Sequence, residues 1–297
     1  MSRFPQQYRD TLNCYTRNWY TRNWYTPGKI LVVVLALPAL LIPTMVLCYI
    51  FWQAAPVLNW GFLSGTADGV GFGVTEGIFS QLVGSLLLAT MACLIATPFA
   101  LGTALYYRTF ATPWQQRLLS AMFNMLQGIP PIVFGLCGLV VLVNLFAWGV
   151  SLLSGAVVLA VVVLPLLVLN TLVTLERIPN EYSEAGSALG LTKGAIILRL
   201  WLPRSWLPLL TGLLLAMARA LSETAPIMFT ATVFSGVVWP DSIFSPVTTL
   251  QTHIFYLAQE GNDPLLVSIA WGSAAVLVLL VASFSLLARL LQKSGGN

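Results

Sequence analysis

Residues 181–203 read EYSEAGSALGLTKGAIILRLWLP, and they separate two of the most apolar runs in the chain. Four charges lie inside the stretch, Glu181, Glu184, Lys193 and Arg199, and Arg204 comes just beyond it. A helix start is expected at Pro179, with Asn180 as an alternative cap. Tyr182, Gly186 and Leu189 are spaced to share one face, and Gly190 suits the left-handed turn that ends a helix. Thr192 is placed to cap a second short helix, whose Ile196, Ile197 and Leu200 are expected to lie against a membrane surface. Pro203 then punctuates the entry to the next apolar run. The pattern predicts two short helices meeting at a glycine to make a compact knob. Its small residues, Ala185, Gly186, Ser187 and Ala188, would let another protein approach closely. An amphipathic linker lying in a membrane interface fits the same residues.

The rest of the chain says which side of what the knob is on. Of the 297 residues, 58% are apolar and 8% are charged, against about 25% charged in a soluble domain. The mean hydropathy is +0.84, so the composition is that of a membrane protein. A bilayer crossing needs about 20 apolar residues, and six runs supply them: 29–52, 79–107, 118–148, 152–175, 205–234 and 264–291. Residues 1–28 are too long and polar for the head of a signal peptide, and the run after them is too long for its core. The first run is therefore expected to be a retained span. The expected organisation is all-α and polytopic: a cytoplasmic segment 1–28, a six-helix domain 29–291 containing the polar segment 179–203, and a tail 292–297.

Placement of the cations orients this arrangement. Arg3, Arg9, Arg17, Arg22 and Lys29 lead into the first span. Arg108 and Arg117 lie between the second and third, Arg177, Lys193, Arg199 and Arg204 between the fourth and fifth, and Arg289 and Lys293 after the sixth. Six crossings put all of these on one face. The opposite loops hold Asp68, Glu76, Asp241, Glu260 and Asp263. Both termini and the knob are thus expected to be cytoplasmic. The net charge of +4 sits at membrane edges, which argues against a nucleic-acid partner.

Arg219 is the cation outside this pattern. It falls about fifteen residues into the fifth run, near mid-bilayer at 1.5 Å per residue. An arginine there costs at least about 2.5–3.5 kcal/mol on insertion scales, so it needs a cavity and a partner. Glu223, four residues on, is placed to be that partner. The stretch ARALSETAP adds the hydroxyls of Ser222 and Thr224, then Pro226, which weakens the helix ladder. Two readings are open: an ion pair that locks neighbouring helices, or a polar station where the guanidinium holds an oxyanion and Glu223 accepts its proton or tunes Arg219. Pro130 and Pro131 must interrupt the third run, either as a candidate gate or as a packing kink.

Other chemistry is sparse. Cys14, Cys48, Cys93 and Cys137 are scattered, three of them in apolar runs, and His253 is the lone histidine. No disulfide framework, metal site or cofactor is expected from them. There is no G-x-x-x-x-G-K-[ST] loop to cradle ATP, and no nucleophile–base arrangement, so no catalytic residue is assigned. The repeat TRNWYTRNWY at 16–25 reads as an interfacial anchor through Trp19 and Trp24.

The knob resembles a family signature. E-A-A-x-x-x-G, nine residues, then I-x-L-P marks permease subunits of ABC importers, and this chain has Glu184-Ala185-Gly186, Gly190, then Leu200-Trp201-Leu202-Pro203. Gly186 and Leu200 are conservative departures. The resemblance implies a type I importer permease fold. It also implies that Glu184, Ala185, Gly186, Gly190, Leu202 and Pro203 belong to a coupling helix docked on a cytoplasmic ATPase. SETAPIMFTA at 222–231 resembles the G-E-T-A-P-L-L-F-T-A run of PstA-type phosphate importer permeases, and GIPPIVFG at 128–135 and FSPVTTL at 244–250 also fit. That likeness implies a substrate path at Arg219, Glu223, Ser222 and Thr224. It further implies a second homologous permease, two ATP-binding cassette subunits, an extracytoplasmic phosphate-binding protein and a bacterial inner-membrane location. Some relatives carry a second arginine in the fourth span, where this chain reads Leu169-Asn170-Thr171-Leu172. Sulfate, molybdate or tungstate is the alternative cargo. A proton-coupled secondary transporter using Arg219 and Glu223 is the alternative class.

Overall fold

The computed structural model describes residues 25–65, 77–233, 239–259 and 263–294. Trp19 and Trp24 of the N-terminal repeat, and Asp68, Glu76 and Glu260, lie outside these residues. The described chain is helical, with no strand among the described residues. In order the helices are α1 (Tyr25–Ala54), α2 (Trp60–Ser64), α3 (Phe79–Thr109), α4 (Pro113–Gly128), α5 (Pro131–Gly138), α6 (Leu152–Glu176), α7 (Asn180–Ala188), α8 (Lys193–Ile196), α9 (Leu202–Leu221), α10 (Ala225–Thr230), α11 (Leu250–Gln259) and α12 (Pro264–Ser294). Residues up to Trp52 form one packing unit and Gln53–Asn297 a second.

Five described helical stretches are long and apolar enough to cross a membrane: Leu31–Ala54, Phe79–Thr109, Leu152–Glu176, Lys193–Leu221 and Pro264–Lys293. The pair Pro113–Gly128 and Pro131–Leu145, bent by 91°, makes a sixth if counted as one span. The run 118–148 is therefore not the single straight span that its hydropathy suggests. Thr112 starts α4 with a reciprocal capping box, accepting from Gln115 N while Gln115 Oε1 accepts from Thr112 N at 2.8 Å. Pro130 and Pro131 then stop and restart the helix, since neither can donate to the ladder.

The core of the second unit is the pairing of α3 with α6. Buried Ala89, Ala92, Ala96, Ala100 and Ala104 present a small-residue seam along α3, which allows the close backbone approach that membrane helices use in place of a hydrophobic drive. Leu159, Val163, Leu167 and Val168 of α6 pack in the same cluster. At one end of α6, the first-turn N–H groups meet backbone acceptors: Ser151 N bonds Thr230 O, Leu152 N bonds Ser245 O and Leu153 N bonds Ile243 O, each at 2.9 Å. These bonds satisfy donors that a helix start leaves open, and they fix the end of α10 and the segment before α11 over α6.

The run 205–234 also departs from its expected form. The helix begins earlier, at Lys193, passes through a π-helical turn at Ile197–Trp201, and stops at Leu221. It is a rod of 29 residues, about 43 Å long at 1.5 Å per residue, with the knob at its foot and Arg219 in its last turn.

Candidate functional site

Pro226 ends the rod. It has no backbone N–H, and its ring collides with the carbonyl four residues back, so a helix cannot continue through Ser222. Backbone freed at membrane depth is tolerated only in protein or at a cavity, and the last four carbonyls of a helix need outside partners. Each finds one here. Ser222 Oγ donates to Ala218 O at 2.9 Å, Ser222 N to Arg219 O at 3.1 Å and Glu223 N to Ala220 O at 3.2 Å. The Gln251 side-chain amide donates to Leu221 O at 2.8 Å.

Gln251 is buried on α11 and ties the break to α3. Ser85 Oγ shares its proton between Gln81 O at 2.8 Å and Gln251 Oε1 at 3.1 Å, and accepts from Leu250 N at 2.8 Å. Gly84 lies beside Ser85, where a Cβ would run into the Thr248 carbonyl. Nothing in the spacing of the sequence points to Gln251, because its partners stand 30 and 166 residues away. The loop 235–262 containing it carries no membrane-length pattern.

On this anchored end, Arg219 Nη2 lies 2.6 Å from Glu223 Oε1. Oε1 makes no aligned hydrogen bond among the described residues, so the contact is Coulombic. The two partners differ sharply in exposure, 52% for the arginine side chain and 8% for the glutamate. The negative end of the helix dipole favours a cation in the last turn and disfavours a carboxylate just past it. The buried carboxylate therefore depends on the guanidinium, which projects outward. A guanidinium has five N–H donors, and among the described residues only Glu223 is ion-paired with it. The remaining donors form a planar fork suited to an oxyanion.

The other sequence candidates take definite positions. Ser222 is exposed, but its hydroxyl proton is committed to Ala218 O. Thr224 precedes α10 without a side-chain capping bond. Pro130 and Pro131 stand at the bend, and α5, which starts there, packs on α10. A Cβ on Gly135 would come within 2.7 Å of Pro226 Cα, so α5 leans on the helix that restarts after the break. Asn170 of α6 faces Gly212 of the rod, and its Nδ2 is buried without a hydrogen-bond partner among the described residues.

The knob forms with three corrections. α7 ends at Ala188 with Leu189 as its C-cap, Gly190 takes φ +78°, and Thr192 accepts from Ala195 N to cap α8. Glu184, Ala185, Ser187 and Ala188 are exposed, but Gly186 is buried against Ile196 and Leu200. Gly186 thus admits the chain's own side chains rather than a visitor. Ile196 is buried and Ile197 and Leu200 pack on the main core, not against a membrane surface. Leu189 turns away from Tyr182 and Gly186 and is 81% exposed. Leu202 and Pro203 form the first turn of α9.

His253, on α11, has its Nε2 buried without a hydrogen-bond partner among the described residues, and burial pushes its pKa down to about 4. No group of His, Cys, Asp and Glu suited to a metal ion occurs among the described residues.

Residues 96–294 match the family described as binding-protein-dependent transport system inner membrane component. Phosphate transport system permease protein PstA 2 of Mycobacterium tuberculosis is 34% identical over 199 residues, covering 67% of this chain and 65% of that protein. The chain thus spans slightly under two thirds of that relative's length. A probable ABC transporter permease of Bacillus subtilis, YqgI, is 30% identical over 253 residues, with 81% and 85% covered. PstA of Xylella fastidiosa is 31% identical over 216 residues, with 72% and 74% covered. Among solved structures, a bacterial alginate ABC transporter superposes with a TM-score of 0.58 over 90% of this chain and 93% of that one, at 14% identity. The MetNI methionine ABC transporter superposes at 0.54 over 73% and 94%, at 19% identity. These superpositions establish the fold, and with the sequence relatives they lead to one conclusion: the chain belongs to the binding-protein-dependent transport system inner membrane components, as an ABC importer permease of the PstA type.

Proposed function

We propose that this permease forms half of the translocation path of an ATP-driven importer of inorganic phosphate in the bacterial inner membrane. A homologous second permease supplies the other half, two ATP-binding cassette subunits drive it from the cytoplasm, and an extracytoplasmic phosphate-binding protein delivers the anion. One observation carries the reading: an outward-projecting guanidinium, Arg219, anchored by a buried carboxylate at a helix break. A half-exposed arginine in a membrane span does not face lipid. It faces a path, and its fork selects an anion.

The carboxylate selects among anions. Glu223 places a negative charge beside the guanidinium, and an anion near it is repelled in proportion to its own charge. Phosphate near neutral pH is partly protonated and meets less of that repulsion than fully ionised sulfate. The names of the sequence relatives, phosphate transport permeases from several organisms, support the same cargo. In this reading the knob docks through the exposed face of α7, with Glu184 meeting a basic group of the ATPase. The unbroken rod from Lys193 to Leu221 then carries that motion to Arg219.

The test is transport by the reconstituted four-component complex in proteoliposomes. Phosphate uptake that requires ATP and survives collapse of the proton gradient is expected. Preference for sulfate or molybdate would reassign the cargo. Uptake that tracks the proton gradient without ATP would place the protein among secondary transporters.

A further inference from the structure

The foot of the rod holds a cation that the transport reading leaves unused. Arg108, in the last turn of α3, donates from Nη2 to Ile178 O at 2.8 Å, beyond the end of α6. Its guanidinium carbon stands 4.3 Å from the centroid of the Trp201 ring. Trp201 is buried and closes the π-helical turn Ile197–Trp201. Its indole N–H donates to Ser183 Oγ of α7 at 3.2 Å. A π-helical turn inserts an extra residue into the ladder and re-aims the helix beyond it. Here that turn carries a side chain touched both by α3 and by the knob.

A second bridge runs beside it. The Arg204 guanidinium stands 5.0 Å from the Tyr182 ring of α7, and Gly186 lets Ile196 and Leu200 close against the same helix. Knob and rod are therefore packed as one body. Arg108 joins that body to the ends of both α3 and α6 by polar contact, and Lys193 adds a longer link to α3 alone, 5.6 Å from the Phe110 ring. A guanidinium over an indole is attracted by the ring's negative face, and the carbonyl bond adds direction.

We propose that Arg108 is a positioning residue for coupling. It clamps the foot of the rod to α3 and α6, so that displacement of α7 moves all three helices instead of being absorbed in the foot. The proposal rests on the reading of α7 as the ATPase-docking helix. A lysine at 108 keeps the charge but lacks the flat fork that stacks and donates together.

The experiment measures phosphate imported per ATP hydrolysed in the reconstituted complex, with subunit co-purification as the check on assembly. Arg108→Gln is expected to assemble and to hydrolyse ATP within about twofold of wild type while moving about tenfold less phosphate per ATP, a coupling loss of the size seen along connected networks. Arg108→Lys should recover part of the loss. Trp201→Leu should match Arg108→Gln, and the double variant should be no worse than either, as expected for partners in one contact. An unchanged ratio in Arg108→Gln would overturn the clamp, as would ATP hydrolysis and uptake falling in parallel, or additive defects in the double variant. Glu184→Lys separates the two ideas. If that variant still co-purifies with the ATPase at wild-type yield, the docking reading fails first and takes the clamp with it.

Discussion

The two ends of the Lys193–Leu221 rod handle charge in opposite ways. At the foot, Arg108, Arg204 and Trp201 are spent on rings, a carbonyl and a hydroxyl within the chain, and the helix stays continuous through a π-helical turn. At the far end the helix breaks, the last four carbonyls of the rod are satisfied, and the guanidinium of Arg219 is left half in the open. In the proposed reading one end transmits and the other binds. The difference is not in the number of cations but in what each guanidinium faces: rings and a carbonyl at the foot, a buried carboxylate and open space at the far end.

Altering the far end should have the largest consequence. Glu223→Gln keeps the shape but removes the negative charge beside the guanidinium, and should lower discrimination of phosphate over sulfate by about tenfold, a Coulombic difference of about 1.4 kcal/mol between a partly protonated and a fully ionised anion. Competition uptake assays read this directly, and unchanged selectivity would leave the two ends of the rod alike in function. Next in size is Gln251→Leu, which leaves the Leu221 carbonyl without its donor in a buried place. A loss of about 1–3 kcal/mol is expected, seen as a lower midpoint of thermal inactivation together with reduced uptake. At the foot, Gly190→Ala forces a side chain into φ +78° and should cost about 1–2 kcal/mol, lowering the yield of complex with the ATPase but leaving anion selectivity intact.

Near neutral pH the smallest effect is that of His253, which emerges only on acidification. His253 is held neutral, its pKa lowered from 6.5 to about 4. The unfolded chain binds the proton more readily, so the contribution of His253 to stability is complete above about 6.5 and is lost as pH falls toward 4. His253→Gln should flatten the dependence of thermal stability on pH across that window. A slope unchanged by the substitution would show that other groups set it.

Much of this architecture is legible in the amino-acid sequence. Apolar runs mark the membrane helices, Gly190 and Thr192 mark the corners of the knob, and the four-residue spacing of Arg219 and Glu223 marks the ion pair. Hydropathy is blind to direction, however. The runs 118–148 and 205–234 look continuous because both sides of each break are equally apolar, and only the prolines hint at a 91° bend or an early stop. Gly186 is readable as a close-approach glycine, but which surface approaches it depends on where Ile196 and Leu200 fold back. Gln251 cannot be found from sequence at all. Its importance arises from reaching Leu221 and Ser85 across the fold, and α11 as a whole sits in what composition presents as a loop.

The most direct measurement is ATP-driven phosphate uptake by the complex carrying Arg219→Ala, compared with its rate of ATP hydrolysis. The account predicts an assembled complex that hydrolyses ATP while uptake falls by about a hundredfold or more, the scale of a lost charged anchor. Uptake at the wild-type rate would contradict it, because the exposed guanidinium would then be no part of the path.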